Sequence, residues 1–135
     1  MLFRSVATPT RALENCRRDA TGPQFRHVRS CLVGSSGDPR VLVWGDSHAS
    51  MLAPAAEWTA TAAQRTALVL GNPSCPPLLG LDVEYFVVRT CAENNRDIVR
   101  WLNAPSSSIG GVLLPARWPY YSGLPTPAGG APSWL

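Results

Sequence analysis

The chain has 135 residues, of which 45% are hydrophobic and 16% charged, a composition typical of one small globular domain and not of a disordered segment. All twelve basic residues are arginines; they are scattered and not interleaved with aromatic residues, so the net charge of +3 predicts a solvated surface and no nucleic-acid binding. No apolar run reaches the roughly 18 to 20 residues that span a bilayer, and no signal peptide precedes the rest, so the chain by itself is predicted to be soluble and without an export signal.

Residues 1–40 show no sustained helical or strand periodicity and end in a cluster of turn formers, which predicts an irregular arm. The apolar run at residues 41–44 is bounded by turn residues, as is typical of a strand buried on both faces. Residues 49–65 are rich in alanine and predict a helix that packs closely on a sheet. Pro54 is expected to kink this helix, because its ring blocks a backbone hydrogen bond.

Residues 67–70 predict a second buried strand, and residues 74–84 predict a loop because they contain two prolines and a glycine. The helical spacing of apolar residues predicts an amphipathic helix over residues 91–102, and residues 110–115 predict a third short strand. The Pro, Gly and Ser-rich end, residues 122–135, is expected to be disordered. The alternation predicts an α/β fold with a parallel sheet and helices on both faces, in which further strands are missing or supplied by another chain.

Four cysteines suggest an oxidising compartment. Cys16 and Cys31 enclose 14 residues, while Cys75 and Cys91 enclose 15, so two local disulfides are predicted among three possible pairings. Loops of this size correspond to about 3 kcal/mol of stabilisation for each disulfide. Buried thiols are the first alternative. A zinc site is the second alternative, but it is disfavoured because the chain has only two histidines and no C-x2-C pair. No metal is therefore predicted.

The motif Gly45-Asp46-Ser47-His48 follows the first predicted strand, at the sheet edge where functional groups collect in open α/β folds. Gly45 permits a sharp turn out of the strand. A serine at the following helix N-terminus lies beside backbone N–H groups that can stabilise an oxyanion. The motif therefore points to nucleophilic acyl transfer by Ser47; the alternative is that Asp46 or Ser47 is an ordinary helix cap.

The segment VLVWGDSHASMLAP, residues 41–54, resembles the first block of the SGNH hydrolase superfamily. It looks most like the SGNH domains fused behind membrane acyltransferases of the type 3 family, and the resemblance extends over about residues 15–121. It implies a three-layer α/β/α, flavodoxin-like SGNH fold with a parallel sheet, which is incomplete here. Further similar features are the cysteine positions, Ser74-Cys75-Pro76-Pro77, Asn94 or Asn95 after Cys91, and Arg117-Trp118 near the third strand.

The resemblance implies an extracytoplasmic domain, in the periplasm for example, that transfers acyl groups, commonly acetyl, to hydroxyls of cell-surface glycans. The parent protein is expected to contain a membrane acyltransferase domain, and no cofactor is expected. The resemblance further implies that Ser47 is the nucleophile that forms an acyl-enzyme and that its backbone N–H is one oxyanion donor. Gly71 is the candidate for a second donor, with Ser74 as a competitor and a plain turn glycine as the alternative role of Gly71.

The neighbours of Ser47 are expected to be structural, because adjacent side chains in such a turn seldom meet and the family takes its base from a C-terminal Asp-x-x-His segment. Asp46 is expected to hydrogen-bond the turn and the helix start. The sequence departs from the family in two ways. First, the Gly-x-Asn-Asp block, which supplies an asparagine to the oxyanion hole in the family, is absent; Arg117 is then either a substitute donor or the partner of a surface carboxylate. Second, there is no histidine after His48 and no aspartate after Asp97, so no Asp-x-x-His base is expected.

Three hypotheses follow for residues 41–121. The first is a partial SGNH acyltransferase or esterase domain, truncated at its C-terminus and inactive alone because no base is present. The second is a non-catalytic remnant that binds a glycan or a partner protein through Trp118, Tyr120 and Tyr121, for which ordinary packing is the alternative. The third is an active enzyme that receives its base from a second chain.

Overall fold

A computed structural model describes residues 25, 28–79 and 90–122. Three predicted features lie wholly or mostly outside these residues: the tail at 122–135 except Ser122, most of the arm at 1–40, and Cys16. Within the described part, no helix has the length and apolar character needed to cross a lipid bilayer. The elements are β1 Arg29–Gly34, β2 Val41–Gly45, α1 Ser47–Met51, α2 Ala53–Ala62, β3 Thr66–Gly71, α3 Cys91–Leu102, β4 Gly111–Leu113 and α4 Trp118–Tyr121.

The strands form one sheet in the order β1-β3-β2-β4. β2 lies parallel to both β3 and β4, so the three predicted strands and their parallel arrangement are confirmed. The sheet is mixed, however, because β1 pairs with β3 in antiparallel orientation. The prediction of irregular structure is wrong for Arg29–Gly34, which forms this edge strand. The strand has no continuous apolar run that would reveal it, because it begins with polar residues and buries only Cys31 and Val33.

The predicted long helix is instead two helices that meet at Leu52, which is the C-cap of α1 and the N-cap of α2. Pro54 lies in the first turn of α2. A proline there loses no intrahelical hydrogen bond, because the first backbone N–H groups of a helix have no partner within it. The predicted kink is therefore a break between two helices.

Helices cover both faces of the sheet, which gives three layers. Successive residues of β2 point to opposite faces: Val43 packs with the cluster that includes Ala49 and Ala53, while Leu42 packs with the cluster that includes Ile98 of α3. All of β3 is buried. Burial on both faces explains why β2 and β3 are continuous apolar runs, and the α/β prediction is confirmed.

Among the described residues, no strand pairs with the outer edge of β4. Val112, Leu113 and Leu114 are exposed there. An apolar groove of about 380 Å³ lies between this region and α2, and its lining includes Leu52, Ala56 and Leu113.

A disulfide fixes the loop that follows β3. Cys75 and Cys91 are bonded, with an S–S distance of 1.97 Å, so this predicted pairing is confirmed. Cys31 is also disulfide-bonded, and its predicted partner lies outside the described residues. Beside the Cys75–Cys91 bridge, the buried amide of Asn95 donates to the carbonyl oxygens of Pro76 and Leu78, both at 2.8 Å. The loop is thus held to α3 both covalently and by hydrogen bonds.

Candidate active site

The turn after β2 places Ser47 at the carboxyl edge of the sheet, as the first residue of α1. Gly45, just before this turn, has no room for a side chain, since a Cβ there would overlap the carbonyl oxygen of Pro115 and lie 2.9 Å from its carbonyl carbon. The backbone after β4 therefore lies directly against Gly45. This close approach brings Arg117 and Tyr121 to the same edge.

Ser47 is exposed at an open cleft of about 240 Å³. The cleft is lined by Asp46, Ser47, His48, Ser74, Arg117, Tyr120 and Tyr121. Among the described residues, the hydroxyl of Ser47 has no hydrogen-bond partner. Its backbone N–H precedes the first intrahelical hydrogen bond of α1, so this donor is not used by the helix.

Asp46 is the centre of the hydrogen bonds around the cleft. Its carboxylate is buried, with 2% of the residue exposed, and accepts four bonds. Oδ1 accepts from the backbone N–H of His48 at 2.8 Å and lies 2.9 Å from its Nδ1. Oδ2 accepts from the backbone N–H of Arg117 at 3.0 Å and from the hydroxyl of Tyr121 at 2.9 Å. Asp46 thus caps α1 and joins it to the segment after β4.

These bonds keep Asp46 ionised. Burial acts to raise the pKa of its carboxyl, but the hydrogen bonds from Arg117, His48 and Tyr121 outweigh burial and hold the pKa below the ordinary value of 3.8. Burial and the bond to Asp46 raise the pKa of Tyr121 above its ordinary value of 10.0, so the phenol stays a donor at neutral pH.

The Nδ1 atom of His48 is bonded to Asp46, and no hydrogen bond joins the ring to Ser47 among the described residues. The His48 side chain is 45% exposed, and Nδ1 makes the only hydrogen bond found for the ring among the described residues. Because an ionised carboxylate can only accept, Nδ1 must carry a proton. In the neutral ring this leaves a lone pair on Nε2.

Arg117 contributes to the site through its backbone, which the sequence did not indicate. Its guanidinium lies over the ring of Tyr120, 5.1 Å from the centroid, a cation–π arrangement. Among the ion pairs of the described residues it forms none with a carboxylate. The side chain still lines the cleft, where it remains a candidate donor.

Gly71 and Ser74, the competing oxyanion donors, occupy different places. Gly71 pairs with Gly45 in the sheet, and a Cβ on it would overlap Oγ of Ser50 and lie 3.3 Å from the Ser50 backbone nitrogen. Its role here is to let α1 approach β3, and it is not part of the cleft lining. Ser74 does line the cleft, with a φ of 60° that non-glycine residues seldom adopt. By position, Ser74 is the stronger of the two candidates.

Tyr121 was predicted only as a binding or packing aromatic residue, and its bond to the site was not predicted from the sequence. Its hydroxyl is bonded to Asp46, 75 positions earlier in the chain. Trp118 also uses its polar group internally, because Nε1 donates to the carbonyl of Leu114 at 3.0 Å. Across the described ranges, no cluster of His, Cys, Asp and Glu side chains is suited to hold a metal ion.

Comparison with known proteins identifies the family of the chain. The family model described as SGNH domain (fused to AT3 domains) matches residues 15–134. No curated protein and no solved structure is similar enough to the chain to count as a match.

Proposed function

Because the chain belongs to the family of SGNH domains that are fused to AT3 domains, a family of acyl-transfer and esterase type, we propose that its site transfers acyl groups through an acyl-Ser47 intermediate. The acceptors proposed are hydroxyl groups of cell-surface glycans, and the acyl group is commonly acetyl. A membrane acyltransferase domain of the parent protein would deliver the acyl group.

The observation that carries this proposal is the position of Ser47. This residue is exposed at the carboxyl end of a buried parallel strand, in a cleft open to solvent. In open α/β sheets this is where reacting groups collect. A serine in this position can form an ester with an incoming acyl group, after which a second hydroxyl can displace it.

The oxyanion that forms during acyl transfer needs donors beside Ser47. The first is the backbone N–H of Ser47 itself, which the helix does not use. Ser74 is the second proposed donor, since it lines the same cleft and its loop is fixed by the Cys75–Cys91 disulfide. The Arg117 side chain is a third candidate in place of the missing family asparagine.

A sugar acceptor suits the chemistry of the cleft. The stacked Arg117 and Tyr120 side chains form one wall, and aromatic rings and guanidinium groups provide apolar faces and donors that complement a sugar ring. The disulfide supports an extracytoplasmic location, because such bonds persist in oxidising compartments.

The second candidate function is a non-catalytic module that binds a glycan on the same wall. It is favoured by one observation: among the described residues, no side chain is hydrogen-bonded to the Ser47 hydroxyl, and the nearby His48 ring is bonded to Asp46. A binding module would retain glycan affinity when Ser47 is replaced and would acquire no acyl group. The two functions are therefore separated by the covalent state of Ser47.

We expect the chain, incubated with an aryl acetate, to gain one acetyl group that is absent from the Ser47→Ala variant. Intact-protein mass spectrometry after rapid quenching measures this product. Ser106→Ala is the matched control, because Ser106 is also exposed but lies outside the cleft, and it should acetylate like the unaltered chain. Equal acetylation of the Ser47→Ala variant would contradict the proposal. No acetylation of any variant, with glycan binding intact, would support the binding module.

A further inference from the structure

We propose that His48, oriented by Asp46, is the proton-transfer residue of the Ser47 site. This inference rests on the proposed function. It assigns the role of proton acceptor to the residue that directly follows the nucleophile in the sequence.

The first argument is the orientation of the imidazole. The buried Asp46 carboxylate accepts from Nδ1 at 2.9 Å and so selects the tautomer with its lone pair on Nε2. A carboxylate that holds Nδ1 of a histidine is the arrangement by which hydrolases orient a base. Asp46 cannot rotate freely, because Oδ2 is held by Arg117 and Tyr121 at the same time.

The second argument is that the fold does not need the ring for its local structure. The start of α1 is capped by the bond from the backbone N–H of His48 to Oδ1 of Asp46, which any residue at this position would make. The ring forms an additional bond to the same oxygen and is nearly half exposed, so it contributes little buried area. The side chain therefore has a geometry that capping and packing leave unexplained.

The third argument is the shared cleft. Ser47 and His48 both line it, together with Ser74. The other charged or titratable groups that line it are Asp46, Arg117, Tyr120 and Tyr121. Of these, Asp46 supplies the negative charge that stabilises an imidazolium, while the Arg117 guanidinium lies on the Tyr120 ring.

The proton and bond changes balance in two steps. In the first, the Ser47 O–H bond breaks, its proton passes to Nε2 of His48, and Oγ forms a bond to the acyl carbon; the donor's leaving group departs and takes that proton. In the second, an acceptor hydroxyl gives its proton to Nε2 as its oxygen bonds to the acyl carbon. The bond between Oγ and the acyl carbon then breaks, and Oγ recovers the proton from His48.

A fluorophosphonate probe tests this assignment, because its reaction with Ser47 also requires the hydroxyl proton to be removed as fluoride departs. We expect His48→Gln to slow labelling of Ser47 about 100-fold, within the range attributed to a lost general base. Glutamine retains a side-chain N–H for Asp46 but cannot take up the proton. Adding imidazole to the His48→Ala variant should restore a large part of the rate, which a structural role for His48 would not predict.

The outcomes separate this inference from the function on which it rests. If Ser47 is labelled in the unaltered chain and His48→Gln labels equally fast, the assignment of His48 is overturned while acyl-Ser47 chemistry stands. If imidazole does not rescue His48→Ala, the assignment is likewise overturned. If Ser47 is not labelled in the unaltered chain, both the inference and the proposed function are wrong. The urea unfolding midpoint of each variant shows that a slow rate is not a loss of fold.

Discussion

Replacing Gly45 with alanine is expected to lower the free energy of unfolding by about 3 kcal/mol, because the new Cβ would occupy the space of a neighbouring main chain. It would overlap the carbonyl oxygen of Pro115 and lie 3.4 Å from the Cβ of Ala49. A backbone carbonyl cannot rotate aside as a flexible side chain can, so the segment after β4 must move. Urea denaturation of the purified chain measures the loss.

The Gly45→Ala substitution is also expected to reduce Ser47 reactivity, since the displaced segment carries the groups that bond Asp46. Gly111→Ala is the matched control: it lies in β4, its φ is not in the left-handed region, and a Cβ there meets nothing within 4 Å. Its effect on stability should stay below about 1 kcal/mol. Equal stability of the two variants would contradict the close packing of β2 against the segment after β4.

The Asp46→Asn substitution is expected to cost about 3 kcal/mol, because a neutral amide cannot accept all the hydrogen bonds that the carboxylate accepts. If its oxygen stays on His48, its NH2 group faces the backbone N–H of Arg117, which is then left unpaired. Asp97→Asn is the control, since Asp97 makes an exposed ion pair with Arg100 on α3 and should change stability by less than about 1 kcal/mol.

The Asp46 contribution has a defined pH dependence. The pKa of the carboxyl is lower in the folded chain than its ordinary value of 3.8, so the unfolded chain binds the proton first as the pH falls. The stabilisation is fully present above that value and is lost as the pH falls through the lower pKa of the folded state. The stability gap between the unaltered chain and Asp46→Asn should therefore be constant near neutral pH and shrink below pH 3.8. A gap that grows in acid would contradict an ionised Asp46.

Much of the fold could be predicted because its strands are buried on both faces. β2 and β3 are such strands, and their continuous apolar runs located them. β4 is also a short apolar run, although Val112 and Leu113 in it are exposed, and the apolar stripe of α3 located that helix. β1 could not be found in the same way, since its burial alternates and it lies at a sheet edge. The break at Leu52 was missed because alanine-rich sequence favours one continuous helix.

The candidate site could be predicted only in part. Ser47 follows a strand directly, so local pattern places it at the sheet edge. The bonds from Arg117 and Tyr121 to Asp46 join residues 71 and 75 positions apart, and they depend on where the segment after β4 crosses Gly45. Spacing in the sequence carries no information on such a crossing. For the same reason Gly71 was preferred to Ser74, although Gly71 serves the packing of α1.

The crystal structure of the chain after fluorophosphonate treatment would test the central claim most directly. We expect phosphorus bonded to Oγ of Ser47 at the carboxyl end of β2, with one phosphonate oxygen within hydrogen-bond distance of the Ser47 backbone N–H. Phosphorus on a different residue, or a Ser47 hydroxyl turned into the core and unmodified, would contradict the account.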